Sequence, residues 1–381
     1  MEKKESPLKQ SFHRNVRQYT MVIALVGIWL IFTFLTGFIF IEPRNLSNLF
    51  LQTVTVAIVA VGMTLVIVTG NIDLSVGSVA GFAGAVGAVL QVKLGWPTVP
   101  AIAAALATGL LIGGWHGFWI AHRKVPSFIV TLASMMIFRG GILGITGGAT
   151  VSPLANSFKM IGQNYLSPVA SSVLAAITIA LFVASNVRKR SQRRKYGLAV
   201  PSVAAQLAKI VSLSLIMAAF FCILIFNQGI PYAVLLLMVL ALVFNFVANN
   251  TVFGRHLYAI GGNEDAARLS GINIANRITV LFVLFGGLTA VAGVVLTARL
   301  NAATTSAGTG MELDVIAASV LGGTSLMGGR GTIFGALIGA LIMASLDNGM
   351  SLMNLDITYQ YVIKGLILLV AVWVDVATQK K

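Results

Sequence analysis

The chain has 381 residues, of which 57% are hydrophobic and 10% charged, with a formal net charge of +15 and a single cysteine, Cys222. An ordinary soluble domain carries roughly 25% charged residues, and the mean hydropathy here is +0.91, so a soluble fold is excluded and the positive charge reads as membrane topology rather than as a nucleic-acid surface. One cysteine inside an apolar run also excludes a disulfide framework and a cysteine-ligated metal site.

Apolar runs long enough to enter hydrocarbon recur along the whole chain. The first, 20–41, follows a polar tail, 1–19, with no small-residue cleavage site at the usual distance, and is expected to be a retained helix rather than a removed leader. Further runs follow at 51–70, 74–92, 98–121, 127–146, 168–187, 208–226, 231–249, 277–299, 314–327, 331–347 and 357–376. The expected fold is therefore an all-α polytopic membrane protein of about 10–12 hydrophobic segments, one membrane domain over 20–376 followed by a short tail, 377–381. A hydrocarbon core of about 30 Å needs about 20 helical residues. The 314–327 run spans only ~21 Å as a helix and contains Gly322-Gly323, so it is expected to be re-entrant or broken. Non-helical backbone at that depth survives only where protein or a water-filled cavity satisfies it, which makes Gly322, Gly323, Thr324 and Ser325 candidates for a translocation path.

Orientation follows from the basic residues, which concentrate in cytoplasmic loops. With the N-terminus inside, the five of the tail, Arg123, Lys124, the run Arg188–Lys195, Lys209, Arg255, Arg268, Arg277, Arg330, Lys380 and Lys381 all fall on one side, 20 of the 26. Both termini, the basic loop 188–209 and the loop 250–276 are thus expected in the cytoplasm. The 188–195 run anchors topology, with attraction to anionic membrane lipid as a further use. Glycines at i, i+4 spacing, Gly77/Gly81, Gly113/Gly117 and Gly331/Gly335/Gly339, are expected to pack helices within one chain.

Enzymatic chemistry finds no support. The four histidines are scattered, none in a metal-ligand spacing, and the dipeptide Gly-Lys is absent, so no Walker A loop exists to hold ATP phosphates. Ionisable groups in or beside spans are functional candidates by default. Arg139 and Lys364 either snorkel, pair with an acid in the bundle, or line the path. Asp73, in Gly70-Asn-Ile-Asp-Leu-Ser75, caps the following helix or lines the path.

The 250–276 loop carries its own helix grammar. Asn263 suits an N-cap, Glu264 and Asp265 place negative charge at the positive end of the dipole, Ala266 and Ala267 favour helix, and Gly271 suits a left-handed C-terminal position. A defined surface helix over 264–270 suits docking into a partner's groove.

At these residues a resemblance emerges. Tyr258-Ala-Ile-Gly-Gly-Asn-Glu-Asp-Ala-Ala-Arg-Leu-Ser-Gly-Ile272 resembles the coupling loop of permease subunits in bacterial ABC sugar importers of the ribose/xylose class. Gly70–Ser78, Lys124–Leu132 with Phe138-Arg-Gly140, and Leu321-Gly-Gly-Thr-Ser325 are similar to the same family, from about residue 45 to the C-terminus. The 188–195 insertion and Ala344–Met353 look most like the xylose-transporting members. The resemblance implies a homodimeric permease, a separate cytoplasmic ATPase that binds ATP and Mg, and an extracytoplasmic sugar-binding protein that delivers the monosaccharide. It places ATPase coupling on Gly262, Asn263, Glu264, Ala266, Ala267, Leu269 and Gly271. It implies no cofactor, metal or nucleic acid in this chain. The rival readings are an ion-coupled secondary sugar transporter and a passive channel. The first expects coupling carboxylates near mid-membrane; the second has no need of a docking helix.

Overall fold

The computed structural model describes residues 7–200 and 202–379, and side chains over 21–200 and 202–373. The ends of both expected tails, 1–6 and 380–381, lie outside the described residues. In chain order the helices are α1 (Pro7–Leu35), α2 (Pro43–Val68), α3 (Val76–Val92), α4 (Thr98–Gly117, continued by a π-helical turn to His122), α5 (Ser127–Thr146), α6 (Asn156–Gln163), α7 (Pro168–Lys195), α8 (Val203–Asn227), α9 (Tyr232–Asn250), α10 (Val252–Gly262), α11 (Glu264–Leu269), α12 (Ile274–Leu300), α13 (Met311–Leu321), α14 (Ile333–Leu352) and α15 (Ile357–Gln379). Eight of the described helices are long and apolar enough to cross a membrane, and Met21–Leu35, Val76–Val92 and Ile357–Trp373 are shorter apolar helices. The chain is an all-α, multi-pass membrane protein.

Each of the twelve apolar runs corresponds to one helix, but two boundaries depart from expectation. The tail 1–19 is helical from Pro7 onward. The basic 188–209 stretch is a loop only between its ends: α7 continues through Lys195, with Arg193, Arg194 and Lys195 in its last turn, and α8 begins at Val203. Arginine and lysine are good helix formers, and cations are favoured where the dipole is negative, so polarity alone does not end a helix there.

The hub is α2, buried along 89% of its most apolar window. Around it stand α12, α14, α13, α9 and α8. The outer helices present apolar side chains outward: Leu181 on α7, Leu215 on α8, and Leu369 and Trp373 on α15 are each more than half exposed. Such a surface suits lipid and not water. Lipid tails are as apolar as leucine, so helices associate through close packing of small residues. The glycine pairs serve this use within one chain. Gly109, Gly113 and Gly117 of α4 lie against the backbone of α12 at Gly286, Phe282 and Thr279, and Gly335 and Gly339 of α14 lie against Gly322 and Ala318 of α13.

Two crossings are broken, and the breaks define the interior. After α12 the chain pairs with the far end of the bundle, where Ala303 and Val151 exchange backbone hydrogen bonds of 3.0 Å. It then descends in non-helical form beside α3, with Ala307 against Gly81 and Gly308 against Gly77. Gly310, at φ 77°, turns it into α13. Eleven helical residues cover only about 16 Å, and the segment before them is a run of turns, Ala307 N to Thr304 O, Thr309 N to Ser306 O and Met311 N to Gly308 O. The broken element expected at 314–327 is a short helix whose irregular part precedes it, at 301–310. The second break, 69–75, lies between α2 and α3.

Candidate functional site

The conspicuous sequence blocks fold into one assembly around the two breaks. In the 69–75 break, Ile72 and Leu74 donate their amides to Ser127 Oγ (3.2 Å) and Thr131 Oγ1 (3.1 Å) of α5. These hydroxyls stand in for the helical carbonyls the break has lost, as backbone at membrane depth requires. Asp73 is buried, and its Oδ1 accepts from the Ser75 amide (2.7 Å) and hydroxyl (2.6 Å) while Oδ2 faces His116 Nδ1 of α4 at 3.5 Å. It organises the turn rather than capping α3. Arg139, on α5, donates to the carbonyl of Ala307 at 3.0 Å and so clamps the turns that precede α13.

The Gly322-Gly323 pair ends α13 in a Schellman turn. Gly323, at φ 87°, takes the left-handed position, its amide donates to Val320 O, and the Thr324 amide reaches Ser319 O. The terminal carbonyls are thereby returned to the chain. Thr324 and Ser325 are buried. The residues expected along a path are therefore not brought together: Asp73 faces α4, Arg139 faces the 301–310 segment, and Gly322–Ser325 form a joint at the end of the bundle that carries α10 and α11. Asp73 and Arg139 spend their polar atoms on this frame, whereas the buried Thr324 hydroxyl, beside Gly331, has no hydrogen-bond partner.

On that same end sits the segment expected to couple to an ATPase. Asn263 caps α11 as expected, its Oδ1 accepting from the Ala266 amide at 2.9 Å. Glu264 and Asp265 lie at the N-terminus and pair with Arg268 at 2.7 and 3.5 Å. Gly271, at φ 82°, closes the helix with Gly271 N to Arg268 O and Ile272 N to Ala267 O. Of the residues on which the resemblance places coupling, Ala267 is 5% exposed and belongs to the apolar core, whereas Leu269 is 89% exposed. In so short a helix one side must seat it, and the small Ala267 takes that side.

The sequence expected only α11 in this region. The helix before it, α10, packs on the bundle. Gly261 packs directly on the Val68 carbonyl at the end of α2 and lies beside the Gly329 amide. Gly329 N also donates to Val68 O at 2.8 Å, and Tyr258 donates its hydroxyl to Gly331 O at 2.8 Å. Burial raises the pKa of this phenol above its ordinary value, so it stays a donor. The α10–α11 pair thus rests at once on the end of α2 and on the 328–331 turn that joins α13 to α14.

Within the bundle, Lys364 of α15 reaches Asp314 of α13 (2.9 Å) and Asp347 of α14 (3.0 Å). Of the alternatives open for Lys364, pairing with acids is the one the geometry holds. The triad borders a cavity of about 260 Å³ that Tyr361, Gln360 and Thr309 also line. The block 344–353 ties α14 into the bundle on other sides as well. Ser345 Oγ accepts from Trp29 Nε1 (2.9 Å), and Asn348 exchanges amide hydrogen bonds with Asn45 (2.8 and 3.0 Å). Among the described residues no group of three or more His, Cys, Asp or Glu side chains could hold a metal ion.

Comparison with known proteins gives a consistent picture. Residues 45–372 match the family model described as the permease component of the branched-chain amino acid transport system. The chain is 47% identical, over 96% of its length and 93% of the relative's, to the xylose transport system permease protein XylH of Escherichia coli. It is 46% identical to XylH of Haemophilus influenzae over 96% and 98% of the two chains. Against the ribose import permease protein RbsC of Escherichia coli the identity is 36%, over 94% of each chain. No solved structure matches significantly.

Proposed function

Since the chain belongs to the family of permease components of the branched-chain amino acid transport type, we propose that it is the membrane subunit of an ATP-binding cassette importer that carries D-xylose across the bacterial inner membrane. The observation that carries the substrate is the 47% identity, over nearly the whole of both chains, to a xylose permease, against 36% to a ribose permease. The chain itself is a permease. In this reading ATP and Mg bind a separate cytoplasmic ATPase, an extracytoplasmic binding protein delivers the sugar, and two copies of the permease assemble. In the same reading both termini and the α10–α11 end lie in the cytoplasm, which the asymmetry of basic residues supports.

The geometry suggests how hydrolysis reaches the bundle. The exposed face of α11, with Leu269 outermost, meets the ATPase. Its inner face packs on α10 and α12, and α10 is seated on the end of α2, where the 69–75 break begins, and on the 328–331 turn that follows α13. A push on α11 therefore reaches the 69–75 break and the end of α13 through backbone contacts at Gly261, with no long flexible side chain between. Breaks are where a packed bundle changes shape most readily, because their backbone bonds are held by a few hydroxyls and one guanidinium rather than by a helical ladder.

The test is uptake by permease, ATPase and binding protein reconstituted in liposomes. Xylose accumulation is expected to require ATP and to survive collapse of proton and sodium gradients. Uptake driven by an ion gradient without the ATPase would replace this reading with a secondary transporter. Labelling of a cysteine at position 192, in a Cys222→Ser background, by an impermeant reagent from the cell exterior would reverse the orientation.

A further inference from the structure

A second cavity, of about 300 Å³, lies between α2, α12, α13 and α14, and its polar lining is Gln52, Thr55, Arg299, Thr309, Asp314 and Asp347. Of the eleven buried side-chain polar atoms without a hydrogen-bond partner among the described residues, three belong to this lining, on Thr55, Arg299 and Asp347. Buried threonines in α2 turn their hydroxyls back onto the preceding turn: Thr53 donates to Leu49 O at 2.7 Å and Thr64 to Ala60 O at 2.9 Å. Thr55 is only 4% exposed, yet its Oγ1 has no hydrogen-bond partner, and neither has the buried Nη1 of Arg299. Native structures leave few such groups, and each asks for an explanation. Here both border the same space.

The charges around it balance. Arg299 and Lys364 carry two positive charges and Asp314 and Asp347 two negative, with Lys364 holding both carboxylates from the α15 side. Glu312 turns to the other face of α13, beside Gly77. An anion or a cation would therefore gain no net attraction. A neutral solute rich in groups that both donate and accept would gain hydrogen bonds from Gln52, Thr55 and Arg299 as donors and from the aspartates as acceptors. The volume lies at the lower end of the roughly 300–1,000 Å³ usual for small-molecule sites. Leu296, Met311 and Met343 offer apolar wall to C–H faces.

We propose that this cavity is a monosaccharide subsite of the permease, with Thr55 and Arg299 donating to sugar hydroxyls and Asp347 accepting from one. The proposal rests on the sugar-permease reading and adds to it the side chains that touch the solute, which the sequence did not reveal. The reconstituted importer tests it. Thr55→Val, nearly isosteric, and Gln52→Leu are each expected to lower xylose uptake about tenfold, the loss of one hydrogen bond of about 1.4 kcal/mol. The control Thr64→Val, on the same helix but away from the cavity, is expected to transport at the wild-type rate. Among singly deoxygenated xyloses, one is expected to be carried poorly by the wild type and no worse by Thr55→Val, because the partner hydroxyl is already gone.

A second readout does not depend on turnover. In a Cys222→Ser background, saturating xylose is expected to slow the reaction of Thr55→Cys with a small thiol reagent at least threefold. The proposal is overturned if the assembled Thr55→Val and Gln52→Leu variants both carry xylose within twofold of wild type, or if xylose leaves the labelling rate unchanged. If the wild-type importer moves no monosaccharide, the functional reading fails and the subsite falls with it. If it moves xylose and the variants are indifferent, only the subsite falls.

Discussion

Gly261→Ala isolates the connection between the coupling helices and the bundle. A methyl group there would meet the Val68 carbonyl directly and lie 2.8 Å from the Gly329 amide. Both neighbours are backbone, so no side chain can swing aside, and α10 must move away. Overpacking of this kind costs about 1–3 kcal/mol, and the retreat also stretches the Tyr258 to Gly331 hydrogen bond, worth about 1 kcal/mol. A total of about 2–4 kcal/mol is a fraction of the 5–15 kcal/mol of a typical domain, so the variant should fold while its seat is displaced. The expected result is a lower midpoint of thermal unfolding in detergent, normal co-purification with the ATPase because the exposed face of α11 is untouched, and fewer xylose molecules carried per ATP hydrolysed. Tyr258→Phe, which removes the hydrogen bond without the overlap, should show a smaller loss in the same direction. Wild-type stability and wild-type sugar-to-ATP ratio in Gly261→Ala would refute the claim that this contact carries the movement.

Further substitutions test separate parts of the structure. Lys364→Met leaves Asp314 and Asp347 facing each other without their cation and should destabilise the bundle by about 3–5 kcal/mol, whereas Lys364→Arg should stay close to wild type; equal unfolding midpoints for the Met variant and the wild type would contradict the triad. Leu269→Arg should weaken assembly with the ATPase at unchanged stability, and Ala267→Arg should instead lower stability, since only the former residue is exposed; co-purification together with thermal unfolding separates the two. Gly323→Leu forces a branched residue into φ 87° at about 1–2 kcal/mol and should melt earlier than Gly323→Asn, which tolerates that conformation; equal melting of the two would remove the strain argument.

Hydrophobic run length determined the twelve segments, because hydrocarbon demands about 20 apolar residues per crossing whatever the neighbours are. Local rules likewise determined Asn263 as a cap and Gly271 as a left-handed terminus, since a helix end is settled by atoms three or four residues away. The 14-residue run at 314–327 announced a break by its length alone. What precedes that helix, a run of turns clamped by Arg139 and seated on Gly77 and Gly81 of α3, depends on residues far away in the chain and became visible only in the fold. The same holds for Asp314 and Lys364, 50 residues apart: a lone lysine in an apolar run is compatible with snorkelling, pairing or transport until its neighbours in space are known. Ala267 shows the limit at the smallest scale. Its helix was legible, but which side faces the bundle was not, because a six-residue helix with polar groups around most of its circumference has no apolar stripe to orient it, and only its packing on α10 and α12 does so.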